Sequence, residues 1–166
     1  VMAVGAETVK KVSLELGGKS AFVILDDADL PKAVKIGLAN CFINGGQTCT
    51  AWTRMLVPAA RYDEALELIT AAAAKYPVGA PTDEGTRIGP LANARQYDRV
   101  VGFIEQAVAD GATVVVGGPE RPEGLDTGYY VRPTVLGGVV AGSRVEQEEV
   151  FGPVLAVIAY DTEDEA

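Results

Sequence analysis

The chain has 166 residues, 48% of them apolar, and carries a formal net charge of -9 with no histidine. That charge, with no basic run longer than Lys10-Lys11, argues against a nucleic-acid or anionic-membrane surface, and the apolar runs are broken well short of membrane-spanning length. The missing histidine removes Ser-His-Asp and Cys-His chemistry and leaves carboxylates as the ordinary general bases.

The length fits one core and a single domain over residues 1–166. The N-terminus lacks a signal-peptide pattern, and the two cysteines, Cys41 and Cys49, have a helical pattern leading from the first toward the second. Both features read as reduced thiols in a cytoplasmic protein. The start at Val1, and the capping-box spacing of Thr162 and Glu165 with no helix after it, read as a fragment of a longer polypeptide.

In chain order, residues Val1 to Lys11 carry apolar residues at helical spacing and read as the tail of a helix. Val12 to Leu16 alternates as a strand and is ended by Gly17-Gly18. Ser20 to Leu25 is a continuous run, as expected of a strand buried on both faces of a parallel sheet. Asp26, Asp27, Asp29 and Pro31 announce a helix from about Leu30 to Ile43. Carboxylates at the positive end of a helix account for these aspartates without a metal.

Arg54 to Val57 reads as a strand closed by Pro58, and Arg61 to Tyr76 as a helix stopped by Pro77 and Gly79. The Gly- and Pro-rich stretch Val78 to Leu91 is expected on the surface. Asn93 caps a helix to Ala109 whose apolar face is Val100, Val101, Phe103, Ile104, Ala107 and Val108. Thr113 to Val116, Tyr129 to Val131, Pro133 to Leu136 and Val154 to Tyr160 read as strands, with an acidic turn from Glu146 to Gly152. Alternating strands and helices predict a three-layer α/β domain around a mainly parallel sheet.

Three places could carry chemistry, each with a plainer competing role. Cys49 follows Gly45-Gly46 among polar neighbours, where a turn would present its thiol, whereas a cysteine is more often a small buried hydrophobe, as read for Cys41. Glu15 interrupts an apolar strand before two glycines. It is either a solvent-facing strand residue or a carboxylate beside an apolar cleft, able to take a proton from water. Glu146, Glu148 and Glu149 precede Phe151-Gly152-Pro153, which is either a solvated acidic loop or a carboxylate for a sugar diol beside a ring for a planar ligand.

Glu15-Leu16-Gly17-Gly18-Lys19, Gly46-Gln47-Thr48-Cys49 and Glu149-Val150-Phe151-Gly152-Pro153, in that order and at those separations, resemble the catalytic region of the aldehyde dehydrogenase superfamily. Gly89-Pro90-Leu91 and Tyr129 to Thr134 add weaker likeness, and the resemblance runs the length of the chain. It implies that Cys49 is the nucleophile that forms a thiohemiacetal with an aldehyde and then a thioester, with its own N–H as one oxyanion donor. It implies that Glu15 is the base that activates the hydrolytic water. It also implies NAD or NADP as cofactor: Glu149 on the nicotinamide ribose, Phe151 packed on the cofactor, Leu16 and Gly17 near the nicotinamide, and Gln96 as a looser ribose contact. The full-length protein is expected to be a homo-oligomer.

The family's second oxyanion donor, an upstream asparagine, has no counterpart here. The dinucleotide fold and the C-terminal oligomerisation arm are missing as well. Loss of one oxyanion donor costs about 3 kcal/mol of transition-state stabilisation, so the 166 residues alone are expected to show negligible dehydrogenase turnover. Slow cofactor-independent hydrolysis of an activated ester is expected to persist. The competing readings are a non-catalytic fold fragment whose sheet edges pair with other chains, and a thiol redox sensor using Cys41 and Cys49.

Overall fold

In the computed structural model, which describes residues 1–166, five strands form one sheet in the order β1-β2-β5-β4-β3. These are β1 (Ala21–Val23), β2 (Arg54–Pro58), β3 (Thr113–Val116), β4 (Thr134–Gly137) and β5 (Val154–Tyr160). The pairs β1–β2, β2–β5 and β5–β4 are parallel, and β3 is an antiparallel edge on β4. Parallel neighbours cannot be joined by a tight turn. The chain accordingly crosses from β1 to β2 through α2 (Leu30–Phe42) and from β4 to β5 through the short α5 (Arg144–Gln147), while α3 (Tyr62–Ala73) and α4 (Ala94–Ala109) carry it from β2 to β3 at the far edge, and α1 (Met2–Ala6) precedes the sheet.

The alternation of side chains along the central strands divides the interior into two cores. Met55 and Val57 of β2, Leu155 and Val157 of β5 and Val135 of β4 pack against α2 and α3. The opposite faces of β4 and β5, through Leu136 and Val154, pack with α4 and with Val145 and Val150. The result is helix, sheet, helix, with β5 buried between the layers, as its unbroken apolar run requires. Tyr62 links the layers, since its hydroxyl donates to the Val157 carbonyl at 3.0 Å and accepts from the Gly138 N–H at 2.8 Å.

Caps set the two helices that matter most to the site. Asp29 accepts from the Lys32 N–H at 3.0 Å with Pro31 in the first turn, and Asn93 accepts from the Gln96 N–H at 3.0 Å. Each side chain satisfies one of the donors that a helix leaves free at its start.

Four segments differ from the sequence reading. Val12 to Leu16 makes no strand, because no neighbouring strand offers it a ladder and its residues lie mostly exposed. Ser20 to Leu25 contributes only the three residues of β1, an edge strand rather than one buried on both faces: Ala21 and Val23 are exposed while Ile24 is buried. Tyr129 to Val131 stays outside the sheet, although the Tyr129 carbonyl accepts from the Leu91 N–H at 2.8 Å and Val131 is buried. The acidic turn begins as helix α5, where Arg144 pairs with Glu148 one turn on.

Candidate active site

The parallel register explains how three distant motifs meet. Ala21, Arg54 and Ala156 are partners across β1, β2 and β5. Glu15 lies six residues before Ala21, Cys49 five before Arg54 and Phe151 five before Ala156. Loops of nearly equal length that enter neighbouring parallel strands at one register must emerge on the same end of the sheet. There Glu15, Leu16, Gly17, Gln47, Thr48, Cys49, Glu149 and Phe151 line one shallow cleft of about 440 Å³.

The Cys49 loop is a constrained turn. Past the end of α2 the backbone runs through three successive left-handed residues, Asn44 (φ 52°), Gly45 (φ 63°) and Gly46 (φ 72°). Two of the three are glycine, which takes this region without a Cβ clash. Reciprocal bonds hold the turn: the Asn44 amide donates to the Gln47 carbonyl, and the Gln47 amide to the Asn44 carbonyl, each at 3.1 Å. Gln47 also accepts from the Ala92 N–H at 2.9 Å, and the Trp52 N–H donates to the Asn40 side chain at 2.7 Å. The loop is thereby anchored at both ends while Cys49 stays exposed. The Cys49 N–H makes no hydrogen bond to another backbone group.

Glu15 is exposed at the cleft and takes part in none of the three ion pairs. Glu149 leans across to the Glu15 loop, where its carboxylate accepts from the Gly18 N–H at 3.2 Å. It lies so close to Gly17 that a side chain there would overlap it. Phe151 holds a left-handed backbone (φ 61°), uncommon for an aromatic residue, which turns its ring into the cleft wall. Gln96 does not line the cleft. Its amide donates to the carbonyls of Val150 at 3.1 Å and Phe151 at 2.7 Å.

Two groups beneath the cleft were not singled out as functional by the sequence reading. The Nζ of Lys19 is buried without a hydrogen-bond partner. Burial lowers its pKa to about 8, against the upward pull of Cys41, with Arg54 lowering it further and Glu149 raising it. The Cys41 thiol, fully buried and 3.6 Å from the Val154 carbonyl, is pushed up to about 12 by burial, with Lys19 drawing it back. A thiol held protonated in the core is no partner for Cys49 in a disulfide relay.

A cleft with an apolar and aromatic rim, a glycine backbone and a carboxylate suits a flat ring carrying a vicinal diol. Leu16 and Phe151 offer the wall, and the Glu149 carboxylate, for which Gly17 leaves room, can accept from two hydroxyls. None of the described residues forms a cluster able to hold a metal ion.

Comparison with known proteins agrees with this architecture. A family model described as "Aldehyde dehydrogenase family" matches residues 1–166. A putative aldehyde dehydrogenase of Staphylococcus saprophyticus is 45% identical over all of this chain and 35% of its own length. The 3-succinoylsemialdehyde-pyridine dehydrogenase of a Pseudomonas species is 47% identical over the same shares. Among solved structures, a cysteine-to-alanine mutant of aldehyde dehydrogenase C from Pseudomonas syringae, in complex with NAD+ and octanal, superposes with a TM-score of 0.95 at 46% identity. That match covers 99% of this chain and 34% of that one. The chain thus spans about a third of the length of the relatives it matches.

Proposed function

The chain belongs to the aldehyde dehydrogenase family, and from that premise we propose that it is the catalytic domain of an NAD(P)-dependent oxidoreductase converting an aldehyde to a carboxylic acid. The observation that carries the reading is the single cleft onto which Cys49, Glu15, Glu149 and Phe151 converge. The full-length protein is read as a cytoplasmic homo-oligomer acting on a small-molecule aldehyde.

In this reading the Cys49 thiolate attacks the aldehyde carbonyl and forms a carbon–sulfur bond, placing negative charge on the carbonyl oxygen. The Cys49 N–H, which has no other backbone partner, is available to that oxygen. Glu149 and Phe151 hold and orient the dinucleotide, with Leu16 and Gly17 against its ring. When bound, the oxidised dinucleotide supplies the acceptor for the hydride that leaves the hemiacetal carbon. What stays on Cys49 is a thioester. Glu15, unpaired and open to solvent, takes a proton from water as its oxygen attacks that thioester; the carbon–sulfur bond breaks, the acid leaves and the thiolate is restored.

The test is NAD(P)H formation from aldehydes by the full-length protein. Turnover is expected in the wild type, and a loss of at least about 10³-fold on Cys49→Ala, the scale at which nucleophile removal acts in covalent catalysis. A wild-type protein that reduces neither dinucleotide with any aldehyde, or a Cys49→Ala variant that keeps its rate, overturns the reading.

A further inference from the structure

We infer that the first two turns of α4 brace the two halves of the cleft against each other, with Gln96 and Arg99 as positioning residues that act on the Glu149–Phe151 turn through its backbone. The inference rests on the proposed function only for the identity of the cofactor; the brace itself is a matter of geometry. Gln96 Nε2 spends its two hydrogens on the Val150 and Phe151 carbonyls, at 3.1 and 2.7 Å. Arg99 Nη2 donates to the Glu149 carbonyl at 2.6 Å, and its guanidinium lies over the Phe103 ring at 4.8 Å. Three successive carbonyls are thus held from one helix.

The need for such a hold is visible in the turn. Phe151 sits in the left-handed region, which is unfavourable for an L-residue and persists only where the surroundings over-determine it. The same segment also grips the nucleophile side, since the Ala92 N–H donates to Gln47 at 2.9 Å in the Cys49 loop. Asn93 fixes the geometry between these contacts by capping α4 at Gln96 itself. Residues 92–99 therefore touch both loops, and the separation of Phe151 from Cys49 is set by a rigid helical segment rather than by the loops alone.

The test compares Gln96→Glu, Gln96→Met, Arg99→Met and Arg99→Lys in the full-length protein by two readouts. The first is hydrogen exchange of the 149–152 amides, with the α2 amides as the fold control. The second is the dinucleotide KM set against kcat. Loosening the turn is expected to speed its exchange about tenfold and to raise the dinucleotide KM about tenfold, the size of one or two lost hydrogen bonds, with kcat changed less than about threefold. Gln96→Glu is expected to be as impaired as Gln96→Met, because a carboxylate cannot donate to carbonyls. Arg99→Lys is expected to restore most of what Arg99→Met loses.

A Gln96→Glu variant with normal exchange and normal KM overturns the brace, because a carboxylate can still accept from ribose hydroxyls in a direct contact. If that variant fails the fold control, Arg99→Met decides the matter on the same criteria. If the wild type reduces no dinucleotide, the functional reading falls separately, and unchanged exchange at 149–152 in the variants then overturns the brace by itself.

Discussion

Cys49 and Cys41 occupy opposite extremes for the same side chain. The first is exposed on a polar turn; the second is inside the core between sheet and α2. Alkylation depends on access and on the thiolate fraction. With its pKa pushed to about 12, Cys41 is almost wholly protonated at neutral pH. Iodoacetamide at pH 7.5 is therefore expected to modify Cys49 to completion while Cys41 stays intact until the protein is unfolded, as peptide mapping would report. Equal labelling of the two would contradict the assignment of Cys41 to the core.

Lys19 gives a pH-dependent counterpart. Its folded pKa of about 8 lies below the ordinary 10.5, so its charged form is disfavoured in the native state. Below pH 8 both states carry the proton and the burial cost is felt in full; from 8 toward 10.5 the native state has shed it while the unfolded chain has not. Stability attributable to Lys19 therefore rises with pH across that window, by at most about 3 kcal/mol. Cys41 opposes it from 9 toward 12, where the unfolded thiol ionises first, and Tyr62, Tyr76 and Tyr160, all raised by burial, act likewise above 10. The net rise is confined to pH 8–9. Urea melts of wild type and Lys19→Met are expected to show it only in the wild type, with Lys19→Met the more stable at pH 7.

At the scale of elements, two glycines separate folding from binding. A side chain at Gly46 would need a left-handed backbone and would overlap the Gly152 carbonyl, which belongs to the facing loop and cannot swing away. Gly46→Ala is expected to destabilise the protein by about 3 kcal/mol and to lower the urea midpoint accordingly. At Gly17 the obstacle is the end of the Glu149 side chain, which can rotate aside. Gly17→Ala is expected to leave the stability within about 0.5 kcal/mol of wild type while raising the dinucleotide KM. Equal destabilisation by the two substitutions would contradict this division.

The same scale shows what the sequence made legible. Helix starts at Asp29 and Asn93 could be read because a short polar side chain before an apolar periodic run has one physical use. The strand expected at Val12 to Leu16 could not be settled, since alternation describes a strand's faces and says nothing about whether a partner lies beside it. For Gln96, residue type and spacing offered no clue that its amide is turned toward two carbonyls behind the Phe151 turn. Nothing in the residues flanking Lys19 marks its ammonium as buried; the buried Nζ is a product of tertiary packing.

For the molecule as a whole, the decisive feature is that three loops enter β1, β2 and β5 from one side. The mainly parallel sheet was expected from the alternation of strands and helices, but strand order was not. Placing β5, last in sequence, between β2 and β4 brings Glu149 and Phe151 next to a loop about a hundred residues earlier. Two cores on opposite faces of that sheet hold the arrangement fixed, so the cleft is a consequence of topology and register together.

The central claim is that Cys49 carries the acyl group and Glu15 supplies the water that releases it. Intact-mass and peptide mass spectrometry of the full-length Glu15→Gln protein, quenched after a single turnover with aldehyde and oxidised dinucleotide, addresses both halves at once. The account predicts an acyl adduct confined to Cys49 that accumulates in Glu15→Gln and is cleared rapidly in the wild type. An adduct on another residue, or aldehyde oxidation by Glu15→Gln at the wild-type steady-state rate with Cys49 unmodified, would contradict it.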